Sequence, residues 1–240
     1  MGDRRARRPV VPASEAEFMT DFEAARRVMV DRQLRTRDVT DHAILAAFAA
    51  VPREKFVPSG RRNLAYLDDD LPIRGANESG PARSMIDPVV LARMVQALRP
   101  DKDDVALVVG CATGYSAGIL SRLAGSVVAL EADEDLAETA NTVLPEIGAD
   151  NVAVVTGDLA AGYPGEGPYD IILFDGAVEK IPETFFDQLK GDGRLACVVG
   201  HGGAAALRLF GASKGGEGRF VMNAAVAALP GFERQEAFQL

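Results

Sequence analysis

The stretch VALVVGCATGYSAGIL, Val105 to Leu120, sets a short apolar run against a glycine turn and a helix-like segment. Glu131 closes the next apolar run, VVALE, and Asp158 follows a third, in VVTGD. A carboxylate at the end of the strand after such a turn accepts hydrogen bonds from ribose hydroxyls, so the spacing points to an adenosine-bearing ligand. A carboxylate there is also costly to desolvate without partners. Asp158 either faces the adenine or caps a turn, and the residues leave both open. The turn itself separates two ligands. In the G-x-G-x-x-G register of a dinucleotide cradle the chain has Gly110, Ala112 and Tyr115, with a bulky tyrosine where helix and strand must approach closely. That turn suits a pyrophosphate poorly. Gly110, Cys111, Ala112, Gly114 and Tyr115 instead suit a nucleoside without phosphates, and S-adenosylmethionine, which carries ribose, adenine and a sulfonium, is the expected cofactor. A dinucleotide oxidoreductase and a turn that binds nothing are the competing readings.

The elements that must hold these residues alternate. Val105–Val109 reads as a strand and Tyr115–Leu123 as a helix. Val127–Glu131 is a strand, Asp135–Ile147 a helix closed by Gly148, and Val152–Thr156 and Asp170–Phe174 are strands. Pro182–Leu189 is a helix and Leu195–Gly200 a strand, and the tail, with FVMNAAVAAL, supplies two antiparallel strands. Strands alternating with helices predict a Rossmann-like α/β fold, mostly parallel with right-handed crossovers. Ahead of it, residues 1–14 read as a disordered tail. Phe18, Phe22, Val28, Met29 and Leu34 make 15–35 an amphipathic helix, and Thr40 caps a second that stops at Pro52. The segment 53–87 reads as one long wrapped loop, and Pro88 opens a helix to about Leu98. Three stretches follow: 1–14, an N-terminal extension over 15–99, and the sheet unit over 100–240.

Composition narrows the function classes. With 26 basic and 35 acidic residues the formal charge is −9, which leaves no basic excess to neutralise nucleic-acid phosphates. Arg4, Arg5, Arg7 and Arg8 are the local exception. No apolar run approaches the roughly 18–20 residues that span a bilayer, and MGDRRARRPVVP lacks the apolar core of a signal peptide. Two cysteines, Cys111 and Cys197, fit a reducing cytoplasm, and His42 and His201 have no metal-ligand company.

Over roughly residues 25 to 240 the chain resembles the protein-L-isoaspartate O-methyltransferase family. The segments that carry the likeness are MVDRQLRTRDVTDHAILAAFAAVPREKFVP, AYLDDDLPI, VVGCATGYSAGIL, VALEADEDLA, NVAVVTGD and YDIILFDGAVEKIPETFFDQLKGDGRLACVVG. The VPREKFVP and AYLDDDLPI segments are fairly specific to that family; the glycine turn alone is not. The resemblance implies a class I methyltransferase sheet, S-adenosylmethionine as donor, and carboxyl O-methylation of isoaspartyl residues in damaged proteins. It places Gly110 and Gly114 along the methionyl part, Glu131 on the ribose and Asp158 by the adenine. The acceptor carboxyl, with a pKa of about 4, is already ionised at neutral pH, so the transfer needs no general base.

The chain also departs from the family pattern. The acceptor segment, GQTISQP-like in the family, is here ARSMIDP, which leaves Ser84 and Asp87 as the polar candidates and puts Ile86 where the family has its hydroxyl. Asp87 would repel an anionic acceptor within ~4–6 Å. Val108 stands where the family has an acid, and Ala112 adds a methyl to the turn. Asp175, after the strand IILF, either pairs with the donor's cation, orients another acceptor, or caps a turn. Arg74 and Arg83 either offer charge to an acidic acceptor or pair with Asp68 to Asp70. Three functions follow: an isoaspartyl methyltransferase, a methyltransferase with another acceptor, and a non-catalytic relative with weak or lost donor binding and a regulatory role.

Overall fold

The computed structural model describes residues 21–77 and 80–232, so the expected tail over 1–14 and residues 15–20 of the expected first helix lie outside the described residues. From Val105 onward the alternation of apolar runs and helical segments produces one seven-stranded sheet. Its strands are β3 (Val105–Val109), β4 (Ser126–Glu131), β5 (Val152–Thr156), β6 (Tyr169–Val178), β7 (Leu189–Val199), β8 (Ala206–Gly211) and β9 (Arg219–Asn223), in the spatial order β5-β4-β3-β6-β7-β8-β9. The first five in that order run parallel, and β8 and β9 finish the sheet antiparallel. The tail therefore supplies two antiparallel strands, as the sequence indicates: β8 is ALRLFG, and of FVMNAAVAAL the FVMN part is strand, in β9. Chain order reverses between β3 and β6, and a crevice opens at the carboxyl ends of strands on either side of such a reversal.

Both faces are covered, and strand residues alternate between them. Ala106, Val108, Val127, Ala129, Ile171 and Leu173 pack into the larger apolar cluster, under helices α2 (His42–Ala50), α3 (Pro88–Leu98), α4 (Tyr115–Ser121) and α5 (Glu134–Glu146). Leu107, Val109, Val128, Leu130, Ile172 and Phe174 point the other way, toward the short helix α6 (Thr184–Asp187), Leu229 and Phe232. This is the period-2 geometry of a strand buried on both sides.

Several boundaries differ from the sequence reading. The first helix, α1, spans Phe22–Met29 and runs on through wider and tighter turns to Arg37. The second is capped by Asp41, not Thr40: its carboxylate accepts from the amides of Ala43 at 2.8 Å and Ile44 at 3.2 Å. Segment 53–87 is not one loop. It holds two short helical turns and an antiparallel pair, β1 (Leu71–Arg74) and β2 (Arg83–Met85). These strands are too short to announce themselves by alternation. β6 runs four residues past its expected end because two more small residues, Gly176 and Ala177, let the tail lie against it: Ala177 donates to Ala227 O at 2.9 Å and Leu229 donates to Ala177 O at 2.8 Å. Among the described residues no helix is long and apolar enough to cross a membrane.

Candidate functional site

Glu131 ends β4 at the carboxyl edge and is fully buried. Three backbone amides hold its carboxylate: Ala112 at 2.7 Å from the glycine turn, Ala132 at 2.9 Å and Asp133 at 3.2 Å. The turn is anchored to the same strand, since the amides of Gly110 and Cys111 both donate to Leu130 O. Gly110 and Gly114 adopt positive φ, as does Ala112 at 50°, a conformation in which an alanine is strained by roughly 1–2 kcal/mol. At Gly114 a Cβ would come within 3.1 Å of Ala140, so glycine there lets α5 close onto the turn.

The fourth partner of Glu131 is Arg83. Its Nη1 and Nη2 both meet the carboxylate, Nη2 at 2.9 Å, and Nη2 also donates to Gly110 O at 3.1 Å. The guanidinium is buried with the acid. One element over, Arg74 Nη1 pairs with Asp133, which itself caps α5 by accepting from Leu136 N at 3.0 Å. Both arginines of the β1–β2 hairpin thus grip the end of β4, and neither pairs with Asp68 to Asp70. Leu229 fills the remaining space. A Cβ built on Gly110 would lie 2.5 Å from Leu229 Cδ2, and one on Gly176 would lie 2.7 Å from Leu229 Cγ. The leucine therefore sits in the notch between the ends of β3 and β6. Glu131 and the glycine turn have the chemistry that a nucleoside donor needs; in this structure Arg83 lies against both and Leu229 against the turn.

On the acceptor side, Ser84 is half-buried in β2 opposite Pro72, and Ile86 is buried. Asp87 is a helix cap: its carboxylate accepts from Val89 N at 2.6 Å and Val90 N at 3.3 Å, which ties it to the start of α3. Asp175 is buried inside β6, where the register with β7 shifts between Leu173 and Ala177. It accepts from Ser116 Oγ at 2.6 Å, and burial pushes its carboxyl up to about 6 against the pull of that hydrogen bond and of Arg83 and Arg53. So it caps no turn. Cys111, Tyr115, Asp175, Ile86 and Arg53 line a narrow gap with no room for a water-sized group. Arg53 donates to Ala65 O and Ile86 O, each at 2.8 Å, and stacks 4.7 Å from the Tyr115 ring centroid. Its Nη1 and the Tyr115 hydroxyl remain buried without a hydrogen bond of good geometry. Burial pushes the Tyr115 phenol up to about 12 against the pull of Arg53.

Asp158 is exposed and accepts from Ala160 N at 2.9 Å, capping the short turn after β5. Val108 is enclosed in the helix-side apolar cluster rather than facing the crevice. Both cysteines are free and buried. Among the described residues no group of three or more His, Cys, Asp or Glu is placed to hold a metal. Sequence reasoning missed Leu229, Ser116 and Arg53. Only Arg53 had a signal, as one of three charged residues in the family-like segment VPREKFVP.

A family model, Protein-L-isoaspartate(D-aspartate) O-methyltransferase (PCMT), matches residues 24–230. A protein-L-isoaspartate O-methyltransferase of Opitutus terrae is 40% identical over 191 residues, 80% of this chain and 79% of that protein. One of Methanoregula boonei is 41% identical over 175 residues, covering 73% and 78%. A solved protein-L-isoaspartate O-methyltransferase superposes with a TM-score of 0.73 at 27% identity, over 86% of this chain and 66% of that chain, just under two thirds of its length. A Plasmodium falciparum structure, solved in complex with S-adenosyl-L-homocysteine, has the same fold at a TM-score of 0.68 and 16% identity, over 85% and 97%. The family-model match over residues 24–230 and relatives about 40% identical over most of their length place this chain in the protein-L-isoaspartate(D-aspartate) O-methyltransferase family.

Proposed function

We propose that the chain is an S-adenosylmethionine-dependent carboxyl O-methyltransferase acting on isoaspartyl residues of proteins or peptides. The observation that carries this reading is Glu131: a buried carboxylate already ordered by three backbone amides, beside a glycine turn, at the point where strand order reverses. The family's function supports the same reading. On the acceptor side, a carboxylate that widens the narrow gap meets Arg53 Nη1 and the Tyr115 hydroxyl, which face each other and otherwise have no hydrogen bond of good geometry. The acceptor arrives ionised, so the protein's work is placement and exclusion of water, not proton abstraction. Ile86 supplies no hydroxyl, and this role falls to Arg53 and Tyr115 instead. A reducing cytoplasm as the place of action is in keeping with two free thiols, both buried in the fold.

A second reading, a non-catalytic relative, is favoured by one specific observation: Glu131 is already satisfied from within by Arg83. Labelled methyl transfer to an isoaspartyl peptide, run beside its aspartyl twin, separates the two. Base-labile label on the isoaspartyl peptide alone bears out the first reading. Label on neither, with purified folded protein, rejects it in favour of the second. Label on another carboxylate keeps the reaction and changes the acceptor.

A further inference from the structure

The geometry points to an internal ligand in the donor crevice: Arg83 holds the place of the ribose hydroxyls on Glu131 while Leu229 holds the place of the ligand over Gly110, and any adenosine ligand binds in competition with them. The inference rests on the reading of this crevice as a donor site.

Three observations converge. First, a guanidinium presents two parallel donors to a carboxylate, the same pattern that a vicinal diol offers, and both Arg83 Nη atoms engage Glu131. The amides of Ala112, Ala132 and Asp133 occupy other lone pairs of the acid, so the diol has no free acceptor until Arg83 leaves. Second, Arg83 does not reach in alone. Arg74, from the paired strand, holds Asp133, so the hairpin is fastened at two points along the edge where a nucleoside would enter. Third, Leu229 comes from a different part of the chain. The tail is hydrogen-bonded along β6 at Ala177, and this places the leucine side chain against both Gly110 and Gly176. Glycine at those two positions leaves a notch at the reversal of strand order, and the leucine fills it.

A buried ion pair contributes little net stability against a well-packed apolar alternative, so packing alone gives weak reason for it. It does suit a site where one set of donors is exchanged for another. Because Arg83 begins the three-residue strand that carries Ser84 and leads to Ile86, its withdrawal also moves the acceptor segment. Donor arrival and acceptor-site geometry are coupled through that strand.

The test is calorimetric titration of S-adenosylhomocysteine into the full chain, together with its thermal shift. The proteins are wild type, Leu229→Ala, Arg83→Ala, and each of these variants combined with Glu131→Gln. Leu229→Ala leaves the ion pair intact and guards against Arg83→Ala failing to fold. Removing an internal competitor raises apparent affinity by the factor it imposed, and a gain of about tenfold or more is expected in each single variant. Arg83→Ala should also melt lower than wild type without ligand and recover with it, and Glu131→Gln should abolish both gains. Single variants that bind no more tightly than wild type overturn the inference. If wild type binds tightly and the variants match it, only this inference falls and the donor reading stands. If no protein binds at millimolar ligand, both fall. If the variants gain affinity and no methyl transfer occurs, the inference holds and the methyltransferase reading fails.

Discussion

At the scale of single residues, Asp175 shows how burial changes a carboxylate. Among the described residues the Ser116 hydroxyl donates to it at 2.6 Å, and burial holds its pKa up to about 6. The ordinary value is 3.8, so between about pH 4 and pH 6 the folded chain binds more proton than the unfolded chain. Stability from this group is therefore present at low pH and lost as pH rises through 6. Asp175→Asn keeps an acceptor for Ser116 and removes the titration. Urea unfolding of both proteins from pH 4 to 7.5 should show wild type losing about 3 kcal/mol relative to the variant. Parallel curves would mean that the carboxyl titrates normally. Asp87 makes the contrast. Sequence reasoning placed it beside the acceptor, and the structure uses its carboxylate to cap α3. An aspartate before a proline-initiated helix carries that signal in its position, since the cap must precede N1.

At the scale of elements, the site is assembled by ties between distant segments. Asp70, just ahead of β1, accepts from Asp87 N at 2.8 Å and from Ala227 N at 2.6 Å. One carboxylate therefore joins the hairpin, the start of α3 and the tail that carries Leu229. Asp70→Ala leaves two amides without their acceptor, and a loss of about 2–3 kcal/mol is expected. Hydrogen exchange should quicken at the Asp87 and Ala227 amides in particular. Unchanged exchange at both would show that the tail is held by its β6 contacts alone. These ties were not legible beforehand. AYLDDDLPI stood out as a family-like segment, but which of Asp68, Asp69 and Asp70 is structural depends on a partner 157 residues away. The β1–β2 pair was missed for a related reason: strands of four and three residues carry too little alternation to be read.

For the whole molecule, the acidic balance is the relevant property. A formal charge of −9 sets a repulsive field toward phosphate backbones. Fluorescence anisotropy with a duplex DNA at 150 mM salt should show no binding at concentrations below about 100 μM, weaker than the general non-specific range. Saturable binding would assign a role to Arg4, Arg5, Arg7 and Arg8 that the net charge hides. The sequence alone left the strand order open but determined the sheet unit, its mostly parallel character and the placing of Gly110, Gly114 and Glu131 at its carboxyl edge. Those features depend on local periodicity and on short-range turn chemistry, which a linear chain displays. Only the tertiary structure decided what fills the crevice. Arg83 and Glu131 are 48 residues apart, and Leu229 lies farther still from the glycine it covers. No spacing rule links them, because their meeting depends on the path of the hairpin and the tail over the finished sheet.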